Sequence, residues 1–219
     1  MTTNESDCSV SEIDYTKHWN DAYAKNPTEK LGWYEEKSTK TLELIAKTNL
    51  SKNAKILTVG AGSSTLIDDL LEEGYSNLIV NDISEISQNH LINRLEQKAN
   101  DVSFVVDDLV NSKKLCLLEG VDLWNDRAVV HFFLKKDEQE AYFDLLKKVV
   151  KPNGFVIIAV FELNGAEKCC GLPLQRYNVE MLQNSLGNEF VLQEDFNYTF
   201  INPYGGERSY VYSLFQRTN

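Results

Sequence analysis

Histidine and cysteine are scarce in this chain of 219 residues, at three and four respectively. His18, His90 and His131 lie far apart, and no two share the spacing that would put a pair of imidazoles on one helix face. Cys169 and Cys170 are adjacent, Cys8 falls in a polar stretch and Cys116 in an apolar one, so neither a zinc spacing nor a Cys-x-x-Cys redox pair is present. No metal site is expected, and no disulfide framework in a chain of this size. No run of 18 apolar residues exists, which argues against a membrane-spanning helix. Met1 to Ser11 is polar, with Glu5 and Asp7, and resembles neither a secretory signal nor an arginine-rich transit peptide; a cytoplasmic protein is expected. Positive charge is also short: 22 Lys and Arg against 33 Asp and Glu leave a net charge of −11. With no compact basic stripe, that field opposes attraction to phosphate backbones, so nucleic acid is not an expected partner. A cationic, neutral or thiol substrate is easier to accommodate. No internal repeat is visible, which disfavours a solenoid.

What is present is a strand, a glycine turn and a distant acid. Ile56 to Val59 reads as a short buried strand whose β-branched and aliphatic residues suit a sheet covered on both faces. Gly60 and Gly62 allow a tight turn and a close backbone approach to a ligand. Ser64 or Thr65 can open the next helix, whose apolar residues Leu66, Ile67, Leu70 and Leu71 recur at helical spacing. A second strand, Leu78 to Val80, delivers Asp82, a carboxylate able to accept hydrogen bonds from a ribose diol. The turn reads Gly-Ala-Gly-Ser-Ser-Thr and lacks the third glycine of a dinucleotide fingerprint, so a nucleoside ligand without a diphosphate fits better.

Helix and strand signals alternate along the rest of the chain. Helices are expected at Glu35–Thr48, Ser64–Glu73, Ser84–Lys98, Lys136–Val150 and Val179–Leu186. Strands are expected at Lys55–Val59, Asn77–Asn81, Val102–Val106, Val121–Val130 and Phe155–Phe161, then consecutively at Phe190–Thr199 and Ser209–Phe215. Lys151-Pro152-Asn153-Gly154 is a breaker between helix and fifth strand. The expected architecture is α/β: a Rossmann-like, seven-stranded, mostly parallel sheet with an antiparallel C-terminal hairpin and helices on both faces.

The glycine turn, Asp82, Phe104-Val105-Val106-Asp107-Asp108-Leu109, Asp122-Leu123-Trp124-Asn125-Asp126-Arg127 and Lys151 to Phe155 occur in the order and spacing of one family. The chain resembles the class I S-adenosylmethionine-dependent methyltransferases over residues 15–217. A narrower likeness, carried by Tyr15 to Tyr34, Asp126 to Phe132 and Lys168 to Tyr177, is to a subgroup distantly similar to protein-lysine and to thiol or small-molecule methyltransferases. The resemblance implies S-adenosylmethionine as cofactor, held by Trp33, Thr58, Gly60, Gly62, Ser64, Asp82, Ile83, Asp107, Asp108, Leu109 and Asp126. One departure stands out: Thr58 sits where family members usually carry an acid that helps hold the cofactor's ammonium, leaving Asp122 or Asp126 to compensate. The implied organisation is a disordered tail over 1–14, a helical lid segment over 15–50 and a methyltransferase core over 51–219.

For catalysis the candidates are His131 and Asp126. His131 is either a base for a protonated acceptor or a loop-orienting side chain. Asp108 and Asp126 also have a plainer reading as helix caps. Acceptor contacts are expected from Trp19, Tyr23, Arg127, His131, Arg176 and Tyr177. Arg127 is either a carboxylate fork or a bridge between structural acids. Trp19 and Trp33 either close over the cofactor or pin an N-terminal helix. A small-molecule acceptor is favoured, with a basic protein as the alternative and a cofactor-binding regulatory protein as a third. A monomer or homodimer is expected.

Overall fold

Strand β1, Ile56–Val59, is buried along its whole length and anchors the fold. β2, Leu78–Asp82, is likewise buried throughout, and β3, Val102–Val106, lies beyond it. β4, Val121–Arg127, and β5, Val150–Phe161, extend the sheet on the other side. Two short strands, β6 (Lys168–Cys169) and β7 (Leu172–Pro173), make a separate hairpin. β8, Phe190–Ile201, and β9, Glu207–Arg217, complete the main sheet. Its order is β3-β2-β1-β4-β5-β9-β8, with β9 antiparallel to both its neighbours and the other pairings parallel. This computed structural model describes residues 13–218; the tail expected over 1–14 lies mostly outside them, and Asp14 itself caps a helix.

Among the described residues, six α-helices dress the sheet: α1 (Tyr15–Lys25), α2 (Thr39–Lys47), α3 (Leu66–Glu72), α4 (Glu85–Leu95), α5 (Lys136–Val149) and α6 (Val179–Leu186). Side chains alternate across a strand, so the buried residues of β1, β4 and β5 divide between two cores. Ile56, Leu123, Ile157 and Ala159 pack with Leu44, Ile45, Leu66, Leu70 and Leu91 of α2, α3 and α4. Leu57, Trp124, Val156 and Ile158 pack with Tyr142, Leu146 and Leu182 of α5 and α6. Each fully buried aliphatic side chain contributes about 1.5–3 kcal/mol relative to exposure. β8, by contrast, alternates between more and less exposed residues, as an edge strand with one covered face should. No helix among the described residues is long and apolar enough to cross a membrane.

Three of the boundaries that differ from the sequence pattern have a visible cause, and one hairpin is additional to it. α2 begins at Thr39 rather than Glu35, because residues 31–38 are drawn into a strap fastened by Arg127. β4 stops at Arg127, because Ala128 turns to φ +69° and Asp126 accepts the next free amides. β5 starts five residues before Phe155, since Asn153 at φ +62° lets the breaker be absorbed where the pairing with β4 slips register. The β6–β7 hairpin has no sequence signal strong enough to predict it; its strands are two residues each.

Candidate functional site

The glycine turn after β1 is shaped by what lies against it. Gly60 and Gly62 adopt φ +51° and +54°, where a side chain is strained. A Cβ on Gly60 would stand 2.2 Å from Val129 Cγ2, and one on Gly62 only 1.9 Å from the Tyr23 hydroxyl. Both glycines are therefore fixed by neighbouring side chains as well as by φ. Asp82, at the end of β2, ties the turn down: its Oδ2 accepts the Gly62 N–H at 2.7 Å and its Oδ1 the Ser84 N–H at 2.8 Å. The Ser87 side chain and the Ile83 N–H also donate toward this carboxylate. Asp82 is 5% exposed, and burial pushes its carboxyl up to about 6 against these stabilising amides.

Beside this turn, at the carboxyl ends of the parallel strands, lies a cavity of about 780 Å³. Gly60, Asp82, Ile83, Asp107, Asp108 and Leu109 line it, and Trp33 lines it too. Trp19, Tyr23 and Arg127 also line it. The structure thus brings ten of the sequence candidates to one cavity. Asp107 and Asp108 present backbone more than charge: the Asp107 carboxylate accepts the N–H groups of Lys113, Lys114 and Leu115 and the Ser112 hydroxyl, and Asp108 Oδ1 accepts from Val110. Burial opposes the Asp107 charge, but those donors more than offset it and hold the carboxyl below its ordinary value.

Several candidates are not on that wall. Asp126 is fully buried, and its carboxylate is used internally by Val129 N–H, Val130 N–H and the Tyr142 hydroxyl at 2.9, 3.0 and 2.6 Å. It shapes the turn that carries Ala128 and Val129 to the cavity, and neither cofactor contact nor catalysis is open to it directly. Burial raises its carboxyl to about 6. His131 is fully buried between Phe132 and Phe161; its Nδ1 faces the Phe161 N–H, and burial together with Arg127 lowers it to about 3. Buried and off the cavity wall, His131 sits as a loop-orienting side chain would, and the base reading draws no support from its placement. Asp122 sits at the opposite end of β4, accepting the Lys55 N–H and pairing with Lys151, and cannot compensate for Thr58. Arg176 is tied to Gly165 O and Glu167, and Tyr177 is core, its N–H bonded to Phe161 O. Neither lines the cavity.

Thr58 and Ser64 border a second, smaller cavity of about 50 Å³ beneath the strap. Ser64 Oγ accepts the Leu66 N–H at the start of α3. Thr58 and its register partner Asn125 leave Oγ1 and Oδ1 without hydrogen-bond partners there, as does Arg127 Nη2. Arg127 is the tie of this region. Its Nη1 donates to Trp33 O at 3.1 Å, its Nε lies 3.1 Å from Glu35 and donates to the Tyr212 hydroxyl, and its plane sits near Phe200 and Tyr210. Burial opposes the guanidinium charge, yet Tyr210, Tyr212 and Glu35 hold it protonated. The bridge between structural groups, rather than the free carboxylate fork, is what the geometry gives.

The far end of the cavity is aromatic. Phe132, Phe161 and Tyr210 line it beside Trp19, with Cys169 and Arg208 on the β6–β7 and β9 side. Trp19 meets Trp33 and Phe132 edge-to-face at centroid distances of 5.6 and 5.0 Å. The sequence pointed to Trp19 but not to Phe161, Arg208 or Tyr210, which reach the site only through the pairing of β5 with β9.

A methyltransferase of Anabaena variabilis described as S-adenosylmethionine-dependent superposes with TM-score 0.74 over 94% of this chain and 96% of its own, at 11% identity. The fold is that of the class I S-adenosylmethionine-dependent methyltransferases. The N-methyltransferase NodS of Bradyrhizobium japonicum, solved with S-adenosylhomocysteine, shares this methyltransferase fold at TM-score 0.66 over 92% of this chain and 100% of its own, with 14% identity. In sequence, the EEF1A lysine methyltransferase 2 of Danio rerio is 28% identical over 173 residues, 71% of this chain and 72% of that protein. No family model matches.

The residues present fit the cofactor of this methyltransferase fold. Asp82 brings a carboxylate to the cavity at the end of β2, Gly60 lines it without a Cβ, and Trp33 and Ile83 offer apolar surface in the same space.

Proposed function

We propose that this S-adenosylmethionine-dependent methyltransferase acts on a small-molecule acceptor held in the same cavity as its cofactor. The observation that carries the reading is how the cavity is walled: α1, the Trp33 strap, the loop after β4, the β6–β7 hairpin and β9 all contribute side chains to one space of about 780 Å³. Such a volume lies within the range of small-ligand sites. It has room for the cofactor and a metabolite-sized partner, and nothing in it resembles an extended docking groove.

S-adenosylmethionine supplies an electrophilic methyl group when bound. In our reading Asp82 holds the ribose, Trp33, Ile83 and the Asp107–Leu109 backbone enclose the adenine end, and the turn at Gly60 faces the amino-acid end. Arg127 keeps the strap closed, Asp126 sets the turn that carries Val129, and the rings of Trp19, Phe132, Phe161 and Tyr210 exclude water from the acceptor end. Proximity and orientation in a dry enclosure account for much of the rate of such a transfer, without a covalent step on the protein. Aromatic faces also favour a cationic or amine acceptor over an anionic one.

A second reading is a protein-lysine acceptor. The lysine methyltransferase relative favours it, as does a charge of −11 that would draw a basic partner. Labelled-methyl transfer in a lysate separated by mass decides. Label in the low-mass fraction, absent with Asp82→Ala, supports the small acceptor; label in a discrete protein band overturns it in favour of lysine.

A further inference from the structure

The adjacent cysteines at the edge of the cavity, of which Cys169 lines it, are absorbed by nothing in the methyl-transfer reading. Cys169 ends β6 and lines the large cavity, and Cys170 begins the turn into β7. Register pairs Lys168 with Pro173 and Cys169 with Leu172, so the turn consists of Cys170 and Gly171 alone. Both have positive φ, +53° and +81°, the conformation of a two-residue type I′ hairpin. That turn favours asparagine, aspartate or glycine at its first position, and a cysteine there is held in a sparsely populated region. The consequence of this strained choice is visible: the left-handed residue brings Sγ of Cys170 to 3.5 Å from Sγ of Cys169, although neighbours along an extended strand point to opposite faces.

We propose that Cys169 and Cys170 form a redox-modifiable dithiol, oxidised by hydroperoxides to a vicinal disulfide that reshapes the cavity wall. The Cys169 thiolate attacks the peroxide, takes one oxygen to become a sulfenic acid and releases water or alcohol. The Cys170 thiol then displaces that oxygen as water, forming the S–S bond; in total two thiols and one hydroperoxide give one disulfide, one water and one water or alcohol. The roles follow from the surroundings. The contact from Cys170, with Arg208 and Arg127 nearby, holds the Cys169 thiol below its ordinary value against the effect of burial. The same contact and burial push Cys170 up. An attacking thiolate beside a protonated resolving thiol is the arrangement that redox-sensing pairs need. Both cysteines are partly exposed.

Reversibility also follows. Consecutive Cα atoms are about 3.8 Å apart, shorter than the roughly 4.4–6.8 Å spanned by ordinary disulfides. The bond would store strain and return readily to the dithiol. The cavity would register the change, because Cys170 lies within electrostatic reach of Tyr23, whose hydroxyl packs on the Gly62 turn.

The test treats the purified chain with hydrogen peroxide and reads peptide masses and S-adenosylhomocysteine affinity. The expected result is loss of two hydrogens from the peptide holding Cys169 and Cys170, reversed by dithiothreitol, with a severalfold and equally reversible change in affinity. Cys170→Asn suits the turn and should fold at least as well, while trapping Cys169 as a dimedone-reactive sulfenic acid. Cys169→Ser should yield neither product. Only sulfinic or sulfonic acid at Cys169 would overturn the disulfide, as would oxidation confined to Cys116. A disulfide with unchanged affinity would overturn its link to the cavity.

Discussion

In the proposed reading Asp82 serves protein and ligand with the same carboxylate. Asp82→Ala releases Gly62 and Ser84 and removes the ribose acceptor, so S-adenosylhomocysteine affinity should fall at least about tenfold by calorimetry, since hydrogen bonds to charged groups contribute about 1.5–3 kcal/mol. The raised carboxyl gives a pH signature. Burial lifts it from 3.8 to about 6, so the free protein carries a proton there below about pH 6. Ribose hydroxyls donate to the ionised form, and binding must then expel that proton. Affinity should be flat above pH 6 and fall by up to about tenfold per unit below it. For folding the sign is the reverse. The native state holds these protons on Asp82 and Asp126 more tightly than the unfolded chain does, so both groups reduce stability as pH rises from 3.8 to about 6, and no further above. Tyr142→Phe removes the 2.6 Å donor to Asp126 and the acceptor for the Trp124 indole. It should lower unfolding free energy by about 1.5–3 kcal/mol in urea while leaving cofactor affinity near wild type.

At the scale of elements, the strap over residues 31–38 is held by the buried Arg127–Glu35 ion pair together with Thr65 on Glu35 O and Asp69 on the Ser38 N–H. Arg127→Ala would leave Glu35 buried and unpaired, and should cost about 3–5 kcal/mol of stability. Arg127→Met with Glu35→Gln should recover much of that loss, a contrast that urea titrations of the three proteins would show. Trp33→Ala separates the two roles left open for this ring: weaker S-adenosylhomocysteine binding at native thermal stability indicates closure over the cofactor, and the opposite pattern indicates pinning. These elements also show what a sequence can tell. β1, its glycine turn and β2 were readable because each is a local pattern, a buried run followed by residues tolerant of positive φ and then an acid at a strand end. The sheet and its antiparallel C-terminal strands were readable from the alternation of helix and strand. Asp126 and His131 were not, because which way a side chain points beyond a strand end depends on one backbone turn, here Ala128 at φ +69°. Arg176 and Tyr177 suggested a recognition loop by composition, yet the first ties a neighbouring loop and the second packs in the core. Phe161, Arg208 and Tyr210 carry no motif; they reach the cavity through strand pairing across about fifty residues.

At the scale of the whole molecule, the place of β9 orders events in time. β5 carries the most apolar segment of the sheet, Val156 to Phe161, and six parallel-side residues of that run are fully or nearly fully buried. Its outer partner is not the next strand along the chain but β9, which must slide between β5 and β8 and pair with both. Until β9 arrives, the β5 edge presents unpaired amides and carbonyls on an apolar strand, the sort of edge that recruits other chains. A nascent chain leaving the ribosome would therefore hold an adhesive, half-built sheet for the time needed to synthesise α6, β8 and β9. A version ending at Gly206 should aggregate on expression, and the same version supplied with residues 207–217 as a separate peptide should gain solubility. In the cell, this methyltransferase fold would lean on chaperones at that one late step, when its last strand is inserted between β5 and the edge strand β8.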